Sequence, residues 1–387
     1  MLSKFKEEIK NAAKAFNSFT QPVRIITHFD SDGLCSAALL SKLFFLEDKI
    51  FNLSIVKNLN EDKLKELSNE NYETYIFADI GSSQVEDIQK YLKGKKVIIL
   101  DHHLPKEVTD DNIINLNPLL HNEDKSEFSG STVTYFFCKE INSEIKNYSH
   151  IALIGAVGDN HKTFTESDNE ILQDGINANT LSKEDDFLFY GVYSKSIAKL
   201  IQHSDQMNVP GITGDKDGSI KFVSNLDIDP NKKIHELTED ERNKLLDALK
   251  DYKDKIYGEK ITLSLENVNS PYRDMREFST LLNACGKLNK HDLGIGALLG
   301  DKNSKIMAIH TMSEYKDELT KIMKWYKDGD QDIIKSEKYT IANIRERTNP
   351  SLIGTMASIL SKSSQFNYDF AVVLGREDEN TTKISIR

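Results

Sequence analysis

Four short segments carry aspartates and histidines at spacings that suit metal chemistry. THFDSDG places His28, Asp30 and Asp32 at alternate positions before Gly33. In an extended chain, side chains at i, i+2 and i+4 share one face, so the three would converge. FADIGSS sets Asp79 at the end of an apolar run, ILDHHLP offers Asp101, His102 and His103, and GAVGDN supplies Asp159. Carboxylates mixed with imidazoles suit Mn²⁺, Mg²⁺, Fe²⁺ or Zn²⁺, and the absence of cysteine argues against a structural zinc. The set exceeds what one ion needs, whereas two ions sharing a bridging carboxylate would use it. Two such ions, roughly 3.5–4 Å apart, stabilise both the attacking and the leaving oxygen of an in-line phosphoryl displacement. Any one of these aspartates alone reads as a strand-end cap or turn residue. Their coincidence at the end of nearly every apolar run in the first half is what points to a site.

The elements that must position them alternate. VRIITHF (23–29), IFNLSIV (50–56), YIFADI (75–80), KVIILDHH (96–103) and NIINL (112–116) read as buried strands. CSAALLSKLFFL, EDKLKEL and VEDIQKYLKG between them read as helices. That alternation predicts a parallel sheet covered by helices on both faces, with ligands outside the carboxyl ends of its strands. From Ser129 to about Ser204 the pattern turns helical, and Ser129-Gly130-Ser131 opens the first of these helices. Pro210, Pro230 and several Gly, Asn and Asp residues make 205–240 the expected linker. The domains expected on either side are 1–204 and 241–387. Thr238 with Glu241 forms a capping box for the helix ERNKLLDALKDY, after which strand-like and helix-like segments predict a smaller α/β domain.

The 387 residues leave room for two cores, and 39% hydrophobic with 29% charged residues is ordinary globular composition. No apolar run reaches the roughly 18 residues needed to cross a bilayer. The lysine- and glutamate-bearing N-terminus reads as a surface helix, not an export signal. Cys35, Cys138 and Cys285 are odd in number and far apart, as in a cytoplasmic, reducing environment. A net charge of −11 runs against a broad basic grip on nucleic acid. It favours a small or locally held substrate, or an acidic face for a protein partner.

THFDSDGLCSA, ADIGSS, LDHHLP and GAVGD resemble, in order and spacing, motifs I to IV of the DHH phosphoesterases. The stretch 273–301 resembles archaeal RecJ-like proteins, among them nucleases associated with the replicative helicase. The resemblance implies two divalent cations, Mn²⁺ expected and Mg²⁺ the alternative. His28 and Asp30 would hold one, Asp32, His102 and Asp159 the other, with Asp79 bridging. It further implies that His103 contacts the scissile phosphate and that Asp101 orients a neighbouring ligand. Arg276, Asn283, Ser129 and Ser131 would meet the substrate. The implied site lies in the cleft between a DHH domain and a DHHA1-like domain. The implied activity is exonucleolytic hydrolysis of single-stranded DNA or RNA in replication or repair. A GINS-type helicase accessory complex is the implied protein partner. The rivals are a phosphodiesterase for oligoribonucleotides or cyclic dinucleotides and a non-catalytic replication scaffold. Every motif position is filled, unlike in the metal-free relatives that serve as scaffolds. One departure is the glycine-rich GGGH segment of RecJ-like proteins, which has no counterpart before TTKISIR. Its loss would alter affinity, processivity or polarity while leaving the metal chemistry in place.

Overall fold

Five short apolar runs build the sheet that carries the site. In a computed structural model, residues 2–387 are described except 122, 123, 125, 126, 162, 163, 205 and 363–367. The chain forms two compact units, residues 1–280 and 281–387. The first opens with α1 (Leu2–Asn17), β1 (Val23–His28), α2 (Ser31–Leu46), β2 (Phe51–Val56), α3 (Glu61–Ser68) and β3 (Thr74–Ala78). There follow α4 (Val85–Tyr91), β4 (Lys96–Leu100), β5 (Ile113–Leu116), α5 (Gly130–Ile141), α6 (Ser149–Gly158) and α7 (Glu166–Asn177). The strands pair in the order β2-β1-β3-β4-β5 and every pairing is parallel. The expected parallel sheet, flanked by helices, is therefore present.

Parallel strands feed helices onto both faces, which is why β3 and most of β1 and β4 are buried throughout. One face packs Ile26, Tyr75, Phe77, Val97 and Ile99 against Leu64, Leu67, Val85 and Ile88 of α3 and α4. Helix α2 is apolar on almost every side and is buried along most of its length, as a central helix must be. The strand order reverses between β1 and β3, the place where open α/β sheets leave a crevice. His28 ends β1 and Asp79 directly follows β3.

Beyond α7 the structure departs from the sequence reading. LSKEDDF forms β6 (Leu181–Phe187), inside the stretch expected to be helical. The unit continues with α8 (Ile197–Gln202), α9 (Lys216–Ser224), α10 (Glu239–Ala248), α11 (Lys253–Ile256) and β7 (Tyr257–Leu263), and β6 pairs antiparallel with β7. The stretch 205–240 is not a bare linker. Met207, Val223, Ile228, Ile234 and Leu237 from it share one core with Phe187, Phe189, Ile197 and Leu245. Pro210, Gly211, Gly214 and Pro230 serve turns between short helices, and the units divide instead at Thr280/Leu281, inside α12 (Met275–Lys287). The capping box of Thr238 and Glu241 opens α10 as expected.

The second unit is the smaller α/β body expected at the C-terminal end. It comprises the end of α12, α13 (His291–Leu298), α14 (Lys302–Asp328), β8 (Ile333–Lys335), β9 (Tyr339–Asn343), α15 (Ile353–Lys362), β10 (Phe370–Arg376) and β11 (Thr382–Ile386). LGIGALLG lies largely on α13 and KIMAIHTM on α14. The sheet order is β11-β10-β9-β8, and Ala342, Ala371 and Val373 face a core completed by Ile322, Tyr326, Ile353 and Met356. On the opposite side Ile334, Tyr339, Phe370, Ile384 and Ile386 are exposed, 43–61% of each being open to solvent. Among the described residues no helix is long and apolar enough to cross a membrane, and the three cysteines are buried and free.

Candidate metal centre

The sheet delivers the expected side chains to one place, though not by one extended face. Asp30 is the N-cap of α2 and accepts from the Gly33 N–H at 3.1 Å. The chain turns into the helix there, so Asp32 in its first turn points to a different group from His28 and Asp30. A Cβ at Gly33 would come within 2.2 Å of the His28 carbonyl oxygen, so the turn needs glycine.

Among the described residues three groups of possible ligands result: His28–Asp30–Asp79, Asp32–His102–Asp159 and Asp79–Asp101–His102–His103. Asp79 is common to the first and third. Its Oδ2 lies 3.4 Å from His28 Nδ1 and its Oδ1 lies 3.5 Å from His102 Nε2. His28 Nδ1 is 3.1 Å from Asp30 Oδ2, and His102 Nε2 is 3.9 Å from Asp32 Oδ2. Asp159, just past the end of α6, brings Oδ2 to 3.7 Å from His102 Nδ1. Asp79 adopts a left-handed backbone, φ +57°, and its N–H donates to the Leu100 carbonyl at 2.8 Å.

Asp101 is fully buried and already saturated. Its Oδ1 accepts from the His102 N–H (2.8 Å) and the His103 N–H (3.2 Å), and its Oδ2 accepts from the Ser82 N–H (2.9 Å). His103 Nδ1 sits 2.7 Å from Asp101 Oδ1, which leaves the rest of a half-exposed imidazole facing outward.

Ser129 and Ser131, expected at the substrate, are instead buried behind Asp32. Ser129 Oγ and the Ser131 N–H donate to Asp32 Oδ1 at 2.9 and 3.0 Å, and the Gly130 N–H donates to Oδ2 at 2.6 Å. The N-terminal donors of α5 thus fix a carboxylate rather than a ligand phosphate. Arg276 is likewise engaged: its Nη2 donates to the Leu188 carbonyl at 2.7 Å. Asn283 lies on the part of α12 that belongs to the second unit. His161, two residues after Asp159, keeps its Nδ1 2.8 Å from the buried carboxylate of Asp168.

The charges are tightly linked. Burial pushes Asp79 up to about 7, with Asp32 and Asp30 adding to the rise. Burial and the charge of Asp32 likewise lift Asp159 to about 6. Burial opposes charge on His28 and His102, but the carboxylates beside each outweigh it and raise both to about 10. Asp101 contacts hold the His103 imidazole above its ordinary value. His28 Nδ1, Asp79 Oδ2 and His102 Nε2 are buried without a hydrogen-bond partner. Crowded carboxylates with orphaned imidazole nitrogens are a donor set of hard oxygen and borderline nitrogen, and it fits divalent cations.

An open parallel α/β sheet with a carboxylate–imidazole cluster at its carboxyl edge defines the class. Within that class the chain belongs to the DHH family. Residues 22–158 match the DHH family N-terminal domain, and residues 189–256 match the DHH-CID domain. The chain is 30% identical over 335 residues to the uncharacterized protein MJ0831 of Methanocaldococcus jannaschii, covering 84% of this chain and 75% of that one. Its fold is similar to that of exonuclease RecJ bound to manganese, with TM-score 0.56 and 14% identity over 95% of this chain and 80% of the other. It is also similar to CDC45 from Entamoeba histolytica, with TM-score 0.65 and 12% identity over 97% and 86%. The fold is RecJ-like.

Proposed function

We propose that this chain hydrolyses phosphodiester bonds of single-stranded nucleic acid using two divalent cations, Mn²⁺ being the expected pair. The observation that carries the reading is Asp79, whose two oxygens face two different imidazoles at 3.4 and 3.5 Å. His28 and Asp30 would hold one ion, Asp32, His102 and Asp159 the other, and Asp79 would be shared. When bound, the cations would supply Lewis acidity toward the phosphate oxygens and neutralise the carboxylates. The protein's own groups do the positioning. Asp101 fixes the ring of His103, so that its outer nitrogen donates to a non-bridging phosphate oxygen as charge builds there. Ser129, Gly130 and Ser131 hold Asp32, which keeps that ligand preorganised. The manganese-bound RecJ neighbour supports the choice of ion. The CDC45 neighbour supports a second reading, docking on a GINS-type complex of the replicative helicase, but the complete cluster favours catalysis.

The test is release of mononucleotides from end-labelled single strands in Mn²⁺, comparing wild type with Asp79→Ala. Losing the shared carboxylate removes several kcal/mol of transition-state stabilisation, so activity should drop on the order of 10³-fold. Wild-type turnover of dinucleotides but not of longer strands would move the reading to a small-substrate phosphodiesterase. No turnover with any divalent ion, alongside tight binding to the helicase accessory complex, would leave the scaffold.

A further inference from the structure

A cavity of about 240 Å³ adjoins the cluster at the carboxyl ends of β2 and β3. Its inner wall is the cluster itself, including His28, Asp79 and His103. Its outer wall is different chemistry: Lys57 and Asn58, directly after β2, and Gln84 from the turn that leads into α4. Leu59 and Ile80 supply apolar surface between the polar groups. Among the described residues of the lining, Lys57 is the one lysine or arginine, and His28, Asp79, Asp101 and His103 are the other ionisable groups. The amides of Asn58 and Gln84 have no hydrogen-bond partner among the described residues, and Gln84 does not cap α4. Ser83, also in the lining, donates its Oγ to the Leu104 carbonyl at 2.8 Å.

Each wall group answers part of one ligand. A cation suits a phosphate oxygen, amides with both donors and acceptors suit the edge of a base, and the apolar surface of Leu59 and Ile80 suits its face. The volume lies below the roughly 300 Å³ at which drug-sized pockets begin, so the space admits one unit and not a run of bases. We propose that this cavity seats the single nucleoside next to the scissile phosphate. Lys57 pairs with a phosphate oxygen, and Asn58 and Gln84 hydrogen-bond the base edge. The enzyme therefore recognises a nucleoside and not merely a phosphodiester. The inference rests on the phosphodiesterase reading for the position of the scissile phosphate at His103.

Two measurements separate the seat from the chemistry. In Mn²⁺, kcat and KM are compared on a thymidine dinucleotide and on bis(p-nitrophenyl) phosphate, for wild type, Lys57→Ala, Asn58→Ala and Gln84→Ala. Each substitution should raise KM for the dinucleotide by about 10-fold, as expected for a lost charge-assisted or buried hydrogen bond. The loss on the aryl diester should be several-fold smaller, and Lys57→Arg should recover most of the dinucleotide KM. Equal losses on both substrates, or none, overturn the proposal. Calorimetric titration of thymidine 5′-monophosphate into the same folded proteins with Mn²⁺ gives a readout that needs no turnover. Wild type should bind, and Lys57→Ala about 10-fold more weakly. If wild type cleaves neither diester, the phosphodiesterase reading fails while this titration still judges the seat; failure of wild type to bind overturns the seat itself.

Discussion

At the scale of single residues, the cluster is a store of protons waiting to be exchanged for cations. His28 and His102 stand at about 10, so both imidazoles are charged at neutral pH, and Asp79 at about 7 is partly protonated. Ligands must be neutral imidazole and carboxylate, so binding of a divalent cation such as Mn²⁺ would release protons. The sign follows: apparent affinity weakens as pH falls from 8 to 6, by roughly tenfold per pH unit for each proton released. Calorimetry in buffers of different ionisation enthalpy measures this directly, and a binding heat that ignores the buffer would refute it. Most of these residues were legible in the sequence because acids and imidazoles recur at the ends of apolar runs. Their grouping was not. The expectation that His28, Asp30 and Asp32 share a face assumed extended chain, whereas Asp30 starts a helix and sends Asp32 elsewhere. Ser129 and Ser131 hold Asp32, which the sequence did not show, because a helix N-terminus offers its donors equally well to a phosphate or to a protein carboxylate.

At the scale of elements, the site depends on how closely α5 approaches the end of β3. A Cβ on Gly130 would lie 2.7 Å from the Asp79 side chain, in the same turn that donates to Asp32. Gly130→Ala should therefore push α5 back and, if the cluster holds divalent cations as proposed, weaken their binding by about 10–100-fold, the usual cost of disturbing groups that orient ligands. Circular dichroism would confirm that the fold survives. The pair β6–β7 carries a different load. Lys260 on β7 meets Asp274 at 2.8 Å with both side chains buried. Burial opposes charge on Asp274, but the Lys260 and Arg276 charges outweigh it and hold the carboxyl below its ordinary value. A carboxyl with a depressed folded pKa contributes stability that is complete above the unfolded value, near 3.9, and is lost as pH falls through the folded one. Asp274→Asn should cost about 3–5 kcal/mol at pH 7, by stranding a buried cation. Urea unfolding should show the gap to wild type closing toward pH 3. The strands β1 to β5 were readable because burial on both faces demands unbroken apolar runs. β6 was not, since Lys183, Glu184 and Asp185 are tolerated in a two-stranded ribbon that no helix needs to cover on both sides.

At the scale of the whole molecule, the two compact units differ in how completely their sheets are clothed. The first sheet has helices on both faces, whereas the second leaves Ile334, Tyr339, Phe370, Ile384 and Ile386 in water. The presence of a smaller α/β unit was legible from alternating segments. The dividing point was not, because proline- and glycine-rich sequence marks turns inside a packed helical body as readily as it marks a hinge. The bare sheet face should make the folded protein prone to self-association in salt. Excluded salts such as ammonium sulfate magnify the cost of wetting such a surface, so molecules should adhere through it well before any of them unfolds. Phe370→Lys with Ile384→Lys should shift the salting-out curve to higher sulfate without moving the melting temperature. Coincident curves would show that water tolerates that greasy plane.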